Sequence, residues 1–201
     1  MLASTDLPGD GRLARSARAR RAVLDALLDL IDEGNLRPPA PRIAERAGVS
    51  LRSVFHYFPD LEALYAAAAE RQFARLQPLV RRLPVRGPLA GRLRSFVTQR
   101  VRLLERITPV RRAALLLEPF SPQVARGLRY VRSLGQREVM RVFAPELAAR
   151  PPAVRREIAA ALVVASSWPA WEALRAHQGL PRARAARVLT RMLTALLQEN
   201  S

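Results

Sequence analysis

The sequence predicts an all-α fold of about nine helices in two parts, and three observations carry that expectation. Apolar residues recur at i, i+3 and i+4 along most of the chain, and Pro and Gly punctuate those runs. No segment alternates apolar and polar residues with the period that a half-buried strand requires. A chain of 201 residues with 49% hydrophobic content buries a sizeable core.

The first helix carries Val23, Leu24, Leu27, Leu28 and Ile31 on one stripe and stops near Gly34-Asn35, residue types suited to a left-handed exit. Pro38, Pro39 and Pro41 then force a turn and start a short second helix that runs through Ala47. Asp60, after Pro59, caps a longer fourth helix with Leu61, Leu64, Tyr65 and Phe73 along it. Further helices are expected at about 88 to 107, 109 to 119, 121 to 145, 152 to 178 and 181 to 198. Trp168 and Trp171 flank Pro169, which is expected to kink the eighth helix by removing a hydrogen bond. No repeat at solenoid period is visible.

The informative stretch is Ala40 to Phe58. Two helices that cross through a short turn need a small residue where their backbones approach, and Ala44 supplies it. Gly48 ends the second helix in left-handed geometry. Val49 plugs the core between the helices, and Ser50 caps the third helix by accepting from the N–H near Ser53. Ile43, Ala47, Val54 and Phe58 then face inward, which leaves Leu51, Arg52, Ser53, Phe55, His56 and Tyr57 pointing outward or sideways. Aromatic residues beside Arg and Ser are unusual on a plain solvent face, and the pattern reads as a recognition-helix surface for double-stranded DNA.

Ile-Ala-Glu-Arg-Ala-Gly-Val-Ser at 43 to 50, Ser53-Val54-Phe55-His56-Tyr57-Phe58 and Glu62-Ala63-Leu64 resemble the DNA-binding signature of the bacterial TetR/AcrR family, over about residues 18 to 65. The resemblance implies that the third helix enters the major groove. Arg52, Phe55, His56 and Tyr57 then lie at or next to base edges, with Ser53 and Tyr57 on phosphates and Ser50 and Leu51 at the helix start. It also implies a cytoplasmic transcriptional regulator, most simply a repressor. Such a protein sits as a homodimer on a palindromic operator and is released by a small-molecule effector. Where the family often has Thr and then a basic residue around the second helix, this chain has Pro39 and Pro41, so Arg42 or Arg37 is expected to substitute. A phosphate-holding Lys at the start of the fourth helix is Leu61 here. Both changes raise the weight on Arg18, Arg20 and their neighbours.

The net charge of +17 says less than its distribution. Residues 1–60 hold nine Arg against eight acids, whereas residues 61–201 hold twenty-five against nine. All 34 basic residues are Arg, which beside abundant Ala, Leu and Pro fits the codon bias of a GC-rich genome. Local crowding is more telling. Arg12, Arg15, Arg18, Arg20 and Arg21 fall just before the first apolar stripe with no acid among them, as a phosphate-seeking arm or a solvated tail. The expected division is a basic flexible arm at 1–17, a helix-turn-helix domain at 18–60 and an effector-binding and dimerisation domain at 61–201.

In that last part the resemblance implies dimerisation through the final long helices, and Pro181 opens a helix on which Val188, Met192, Leu193 and Leu196 are candidates for the interface. Arg100 interrupts the stripe of Leu93, Phe96, Val97, Leu103 and Leu104, where a charge needs a partner. It either holds an acidic ligand, pairs with a carboxylate such as Glu118, or snorkels outward. Phe96, Arg100, Leu104, Trp168 and Trp171 form the candidate effector pocket.

Other classes fare worse. There is no Cys, His56 and His177 lie far apart, and no Gly-rich phosphate loop is present, so neither catalysis, a metal nor a cofactor is expected. No apolar run is long enough for a membrane span and Met1 to Asp10 contains none fit for a signal peptide, so no membrane partner is expected. The alternative is an Arg-rich, nucleoid-type nucleic-acid binder without sequence preference.

Overall fold

The apolar stripes of the sequence become ten α-helices in the computed structural model, which describes residues 10–198, with no strand among the described residues. Helix α1 spans Asp10–Asp32, longer than its apolar stripe. The part of the expected flexible arm from Asp10 onward is therefore helical, while Met1–Gly9 lie outside the described residues. Leu13, Ala14, Ala17 and Ala19 among the arginines favour helix, and the stripe that begins at Val23 gives that helix a nucleus to extend from. It ends as expected: Gly34 has φ 96° and Asn35 N–H donates to the Leu30 carbonyl at 3.0 Å.

Helices α2 (Ala40–Ala47) and α3 (Leu51–Tyr57) follow, then α4 (Leu61–Leu76), α5 (Leu89–Leu115) and α6 (Pro122–Val142). Helix α7 (Ala144–Ala148), α8 (Pro152–Ala165), α9 (Trp168–Glu172), a π turn at 173–177 and α10 (Arg182–Gln198) complete the chain. Asp60 caps α4 by accepting from the Ala63 N–H at 2.7 Å. Leu61, expected on the apolar face of α4, is instead exposed.

Three expected boundaries are corrected, each through a proline. The helices expected on either side of residue 108 are one, because α5 continues through Pro109. The Thr108 hydroxyl donates to the Leu104 carbonyl at 2.7 Å in the turn where the proline breaks the backbone ladder. The helix expected at 121 to 145 stops at Val142, and Pro145 opens α7. Pro169 does not kink a continuous helix: α8 ends at Ala165, Ser167 caps α9, and Pro169 occupies the first turn of α9, where its missing N–H costs nothing.

Packing divides the chain into two units. The first contains the described residues up to Arg75 together with Pro109–Ala125, and the second contains Leu76–Thr108 and the chain from Arg126. The boundary expected after residue 60 is thus displaced, because Leu64, Tyr65 and Ala68 of α4 join the core made by Val23, Leu27, Leu28, Ile31, Ile43, Val54 and Phe58. The core of the second unit is built on Phe96, Val101, Leu104, Val142, Phe143, Leu162, Trp171, Leu189 and Leu193. There Arg92, 3% exposed, is neutralised by Glu146 and donates to the Val142 and Gly87 carbonyls, so its charge is satisfied inside the core.

In the first unit α4 is fastened to α1 by Asp25. Arg71 forks onto the carboxylate, with Nη2 to Oδ2 at 2.6 Å, and Arg75, one turn on, reaches the same group. The Arg71 hydrogen bonds, helped by the Arg75 charge and opposed by burial, hold the Asp25 carboxyl below its usual 3.8. A depressed carboxylate pKa contributes stability above the unfolded value, fully present at pH 7 and lost as pH falls below about 4. Asp25→Asn is expected to lower stability by about 1 kcal/mol at pH 7 in urea unfolding. The gap from wild type should close as the measurement is repeated down to pH 3, and a gap indifferent to pH would mean that the ion pairs contribute nothing.

Candidate nucleic-acid interface

The reversal between α2 and α3 is built as its residue types require. Gly48 has φ 66° and sends its N–H to the Glu45 carbonyl, while the Val49 N–H donates to the Ala44 carbonyl. Ser50 caps α3, its hydroxyl accepting from the Ser53 N–H at 3.1 Å. Ile43, Ala44, Val54 and Phe58 are buried, and Ala47 and Val49 pack at the edge of the same core.

With those side chains turned inward, α3 presents Leu51, Arg52, Phe55 and His56 to solvent, with Ser53 and Tyr57 partly buried at its sides. Leu51 and Phe55 are more than two-fifths exposed, at 41% and 43%. That is costly for large apolar groups unless a partner covers them, and thymine methyls are apolar groups that the major groove offers. The structure brings together every recognition-helix residue that the sequence singled out, with two refinements. The Ser53 hydroxyl lies 2.8 Å from that of Ser50, so it is shared with the cap. Tyr57 meets His56 edge-on at 5.4 Å and packs against the core, so its ring is positioned before any contact with DNA.

The flanking arginines are sorted by their partners. Arg12, Arg15 and Arg18 are exposed on the first turns of α1, in a row three residues apart. Arg20 lies over the Phe58 ring at 4.8 Å, tying α1 to the residue that ends α3. Arg42 is exposed on α2 and shares a polar groove with Glu45 and Arg46. Glu33 and Arg46, not among the residues expected at the site, form a two-pronged pair at 2.7 and 2.9 Å that pins α2 to the end of α1. Its hydrogen bonds hold the Glu33 carboxyl below the usual range. No local pattern connects those residues, which meet only because the turn at Gly34 folds α2 back.

In the second unit the candidate pocket residues are placed otherwise than expected. Phe96, Leu104 and Trp171 are core residues, at most 3% exposed, and do not line an open cavity. Trp168 Nε1 donates to Thr108 Oγ1 at 3.1 Å, and Trp171 Nε1 donates to Glu105 Oε1 at 2.9 Å, so both indoles serve to fix α9 against α5. An open groove of about 380 Å³ is lined instead by Val97, Thr98, Val101, Arg182, Ala183 and Ala186. The acid acting on Arg100 is Glu138, not Glu118. On α10, Leu193 is fully buried in its own core with Ala185, Leu189 and Leu197, which removes it from the interface candidates, while Val188, Met192 and Leu196 stay partly exposed. Among the described residues no cluster of His, Asp or Glu fit for a metal ion occurs, and no helix is long and apolar enough to cross a membrane.

Residues 23–68 match the family model of bacterial regulatory proteins of the tetR family. The HTH-type transcriptional repressor KstR from Rhodococcus jostii (strain RHA1) is 32% identical over 101 residues, which are 49% of this chain and 47% of the relative, so the match spans about half the relative's length. A tetR-family transcriptional regulator from Streptomyces coelicolor shares the fold with a TM-score of 0.67 at 23% identity, over 88% of this chain and 81% of that one. A transcriptional regulator from Rhodococcus sp. Rha1 does so with a TM-score of 0.66 at 21% identity, over 89% and 96%.

Because the Cβ of an alanine at position 48 meets nothing within 4 Å, the cost of replacing Gly48 is conformational alone. Gly48→Ala is expected to lower thermal stability by about 1 to 2 kcal/mol, and Gly48→Asn by clearly less. Equal stability of all three proteins would show that the left-handed turn relaxes.

Proposed function

We propose, from the match of residues 23–68 to the tetR family of bacterial regulatory proteins, that this chain is a sequence-specific DNA-binding transcriptional repressor released from its operator by a small molecule. The observation that carries the proposal is the outward face of α3, where Leu51, Arg52, Phe55 and His56 stand exposed behind a capped helix start. Arg52 offers the planar donor fork that reads guanine in the major groove, Leu51 and Phe55 meet thymine methyls, and Tyr57 and the exposed Arg42 reach phosphates. The row of Arg12, Arg15 and Arg18 on α1 adds phosphate contacts without sequence preference.

A palindromic operator calls for two reading heads about 34 to 36 Å apart, hence a homodimer. The partly exposed Val188, Met192 and Leu196 of α10 and Val164 of α8, which is 66% exposed, supply an apolar surface for it. The effector acts on the second unit, and it weakens DNA binding by preferring a conformation in which the heads are differently spaced.

Gel-shift titration in the presence of excess random DNA tests the reading. A palindrome-dependent complex should survive the competitor, Arg52→Ala should weaken it by about 1 to 3 kcal/mol, and replacing Arg12 and Arg15 by Ala should mainly flatten its salt dependence. A complex that random DNA removes would assign the chain to non-specific nucleic-acid binding. For the dimer, Met192→Glu is expected to give a monomer in analytical ultracentrifugation that no longer holds the full operator, since one half-site forfeits the avidity of two. A monomeric variant with wild-type operator affinity would refute the dimeric mechanism.

A further inference from the structure

We propose that the effector is an organic monoanion, a carboxylate on an apolar body, held by the guanidinium of Arg100; this rests on the effector reading above. Arg100 leaves α5 in the same row as the buried Phe96 and Leu104, and its guanidinium lies over the Phe96 ring at 4.8 Å. That ring is itself braced edge-on by Phe143 at 5.1 Å, so one whole face of the cation is apolar.

Among the described residues, its one hydrogen bond runs from Nη2 to the Gly135 carbonyl of α6 at 3.2 Å. The Arg100 side chain is partly exposed, and of the five N–H donors of its guanidinium most are left to solvent or a ligand. Gly135 is what allows the approach, since a Cβ there would sit 3.0 Å from Arg100 Nη1. No carboxylate lies within ion-pair distance of Arg100 among the described residues. Glu138 attracts it through space only, because both Glu138 oxygens are taken by Arg141, Nη2 to Oε1 at 2.9 Å and Nε to Oε2 at 3.2 Å. Contrast Arg92, the other arginine of this core, whose charge is matched by Glu146 and whose remaining donors go to carbonyls.

Burial pushes the Arg100 pKa down to about 10, a loss of solvation that an ionic ligand would relieve while the group stays charged at neutral pH. A planar fork suits a carboxylate, which accepts two parallel hydrogen bonds. A phosphate monoester suits the site less well, because its second charge would meet a single cation already facing Glu138.

Calorimetric titration of the full-length protein with decanoate, phenylacetate and cholate, each beside its methyl ester, and with decyl phosphate tests the proposal. At least one carboxylate should bind saturably, its ester and decyl phosphate weakly. Arg100→Met should weaken that carboxylate by about 10- to 100-fold while keeping operator affinity. Arg100→Lys keeps the charge over Phe96 but loses the fork. It is expected to fold even if the Met variant does not, and to bind the carboxylate several-fold more weakly than wild type. Binding of acid and ester alike, undiminished binding in the Lys and Met variants, or binding of none of the carboxylates would overturn the assignment. Operator release is scored separately. A neutral compound that releases DNA from wild type and Arg100→Met equally would overturn the anion site and leave the effector mechanism standing. Arg100-dependent carboxylate binding without release would uphold the site and remove the mechanism.

Discussion

The outward face of α3, the proposed DNA-reading surface, depends on one backbone reversal, the left-handed Gly48 followed by the Ser50 cap. Helix α3 is only seven residues long, far below the length at which a helix is stable by itself in water. It exists because its start is capped, and because Val54 and Phe58 are drawn into a core shared with α1, α2 and α4. Turning those two residues inward leaves the other faces of so short a helix outside, so packing and presentation are the same event. Arg20 on the Phe58 ring and the Glu33–Arg46 pair then fix where α3 ends and how α2 lies on α1. Asp25 with Arg71 and Arg75 does the same for α4.

Features whose cause is local were legible in the sequence. Gly48, Ser50 and Asp60 act within a few residues of themselves, through backbone conformation or a cap, and each sits where its chemistry requires. The face of α3 was legible for the same reason, because helical spacing alone separates Val54 and Phe58 from Arg52, Phe55 and His56. Features with a distant cause were not. Pro109 has the residue type of a helix boundary, yet α5 passes through it, and a proline's neighbours in space decide whether a helix tolerates it. Pro169 looks like a kink in the sequence because the cap at Ser167, which puts it in the first turn of a new helix, is there no more than a common serine. Leu193 stands with Val188, Met192 and Leu196 on the apolar side of the last helix, and that spacing does not say which flank faces inward. The structure buries Leu189 and Leu193 and leaves Val188 and Met192 at the edge.

Charge illustrates why a sum misleads. Most arginines of the chain stand at exposed positions, and those with partners do different kinds of work. Arg71 and Arg75 share a carboxylate, Arg92 lies satisfied inside a core, and Arg20 rests on an aromatic face. Arg175 joins Trp171 on Glu105. Set beside these, Arg100 differs in kind. It is partly buried where Arg92 is fully buried, and among the described residues a single carbonyl accepts a hydrogen bond from it. Burying a charge without full compensation is a cost that a fold carries without benefit unless something else completes the site.

Linkage between a ligand and DNA needs an element with two arrangements and a ligand that prefers one of them. Helices α5 and α6 are each counted partly in the first unit and partly in the second, and the division within α5 falls at Thr108–Pro109. Pro109 has no N–H, so at that peptide the helix lacks the hydrogen bond that would stiffen it, and the Thr108 hydroxyl and Trp168 meet there. In α6, Ser121 both caps the helix and donates to Glu62 at 2.6 Å, while Gly135, further along, accepts from Arg100. Under the effector reading proposed above, a carboxylate held by Arg100 would act on α6, the helix that Arg100 grips through the Gly135 carbonyl. Coupling of this form requires no contact between ligand and reading head. It requires only that the Arg100–Gly135 bond be weaker than what the ligand offers, and a carboxylate that accepts two parallel hydrogen bonds from the guanidinium offers one more than the carbonyl does.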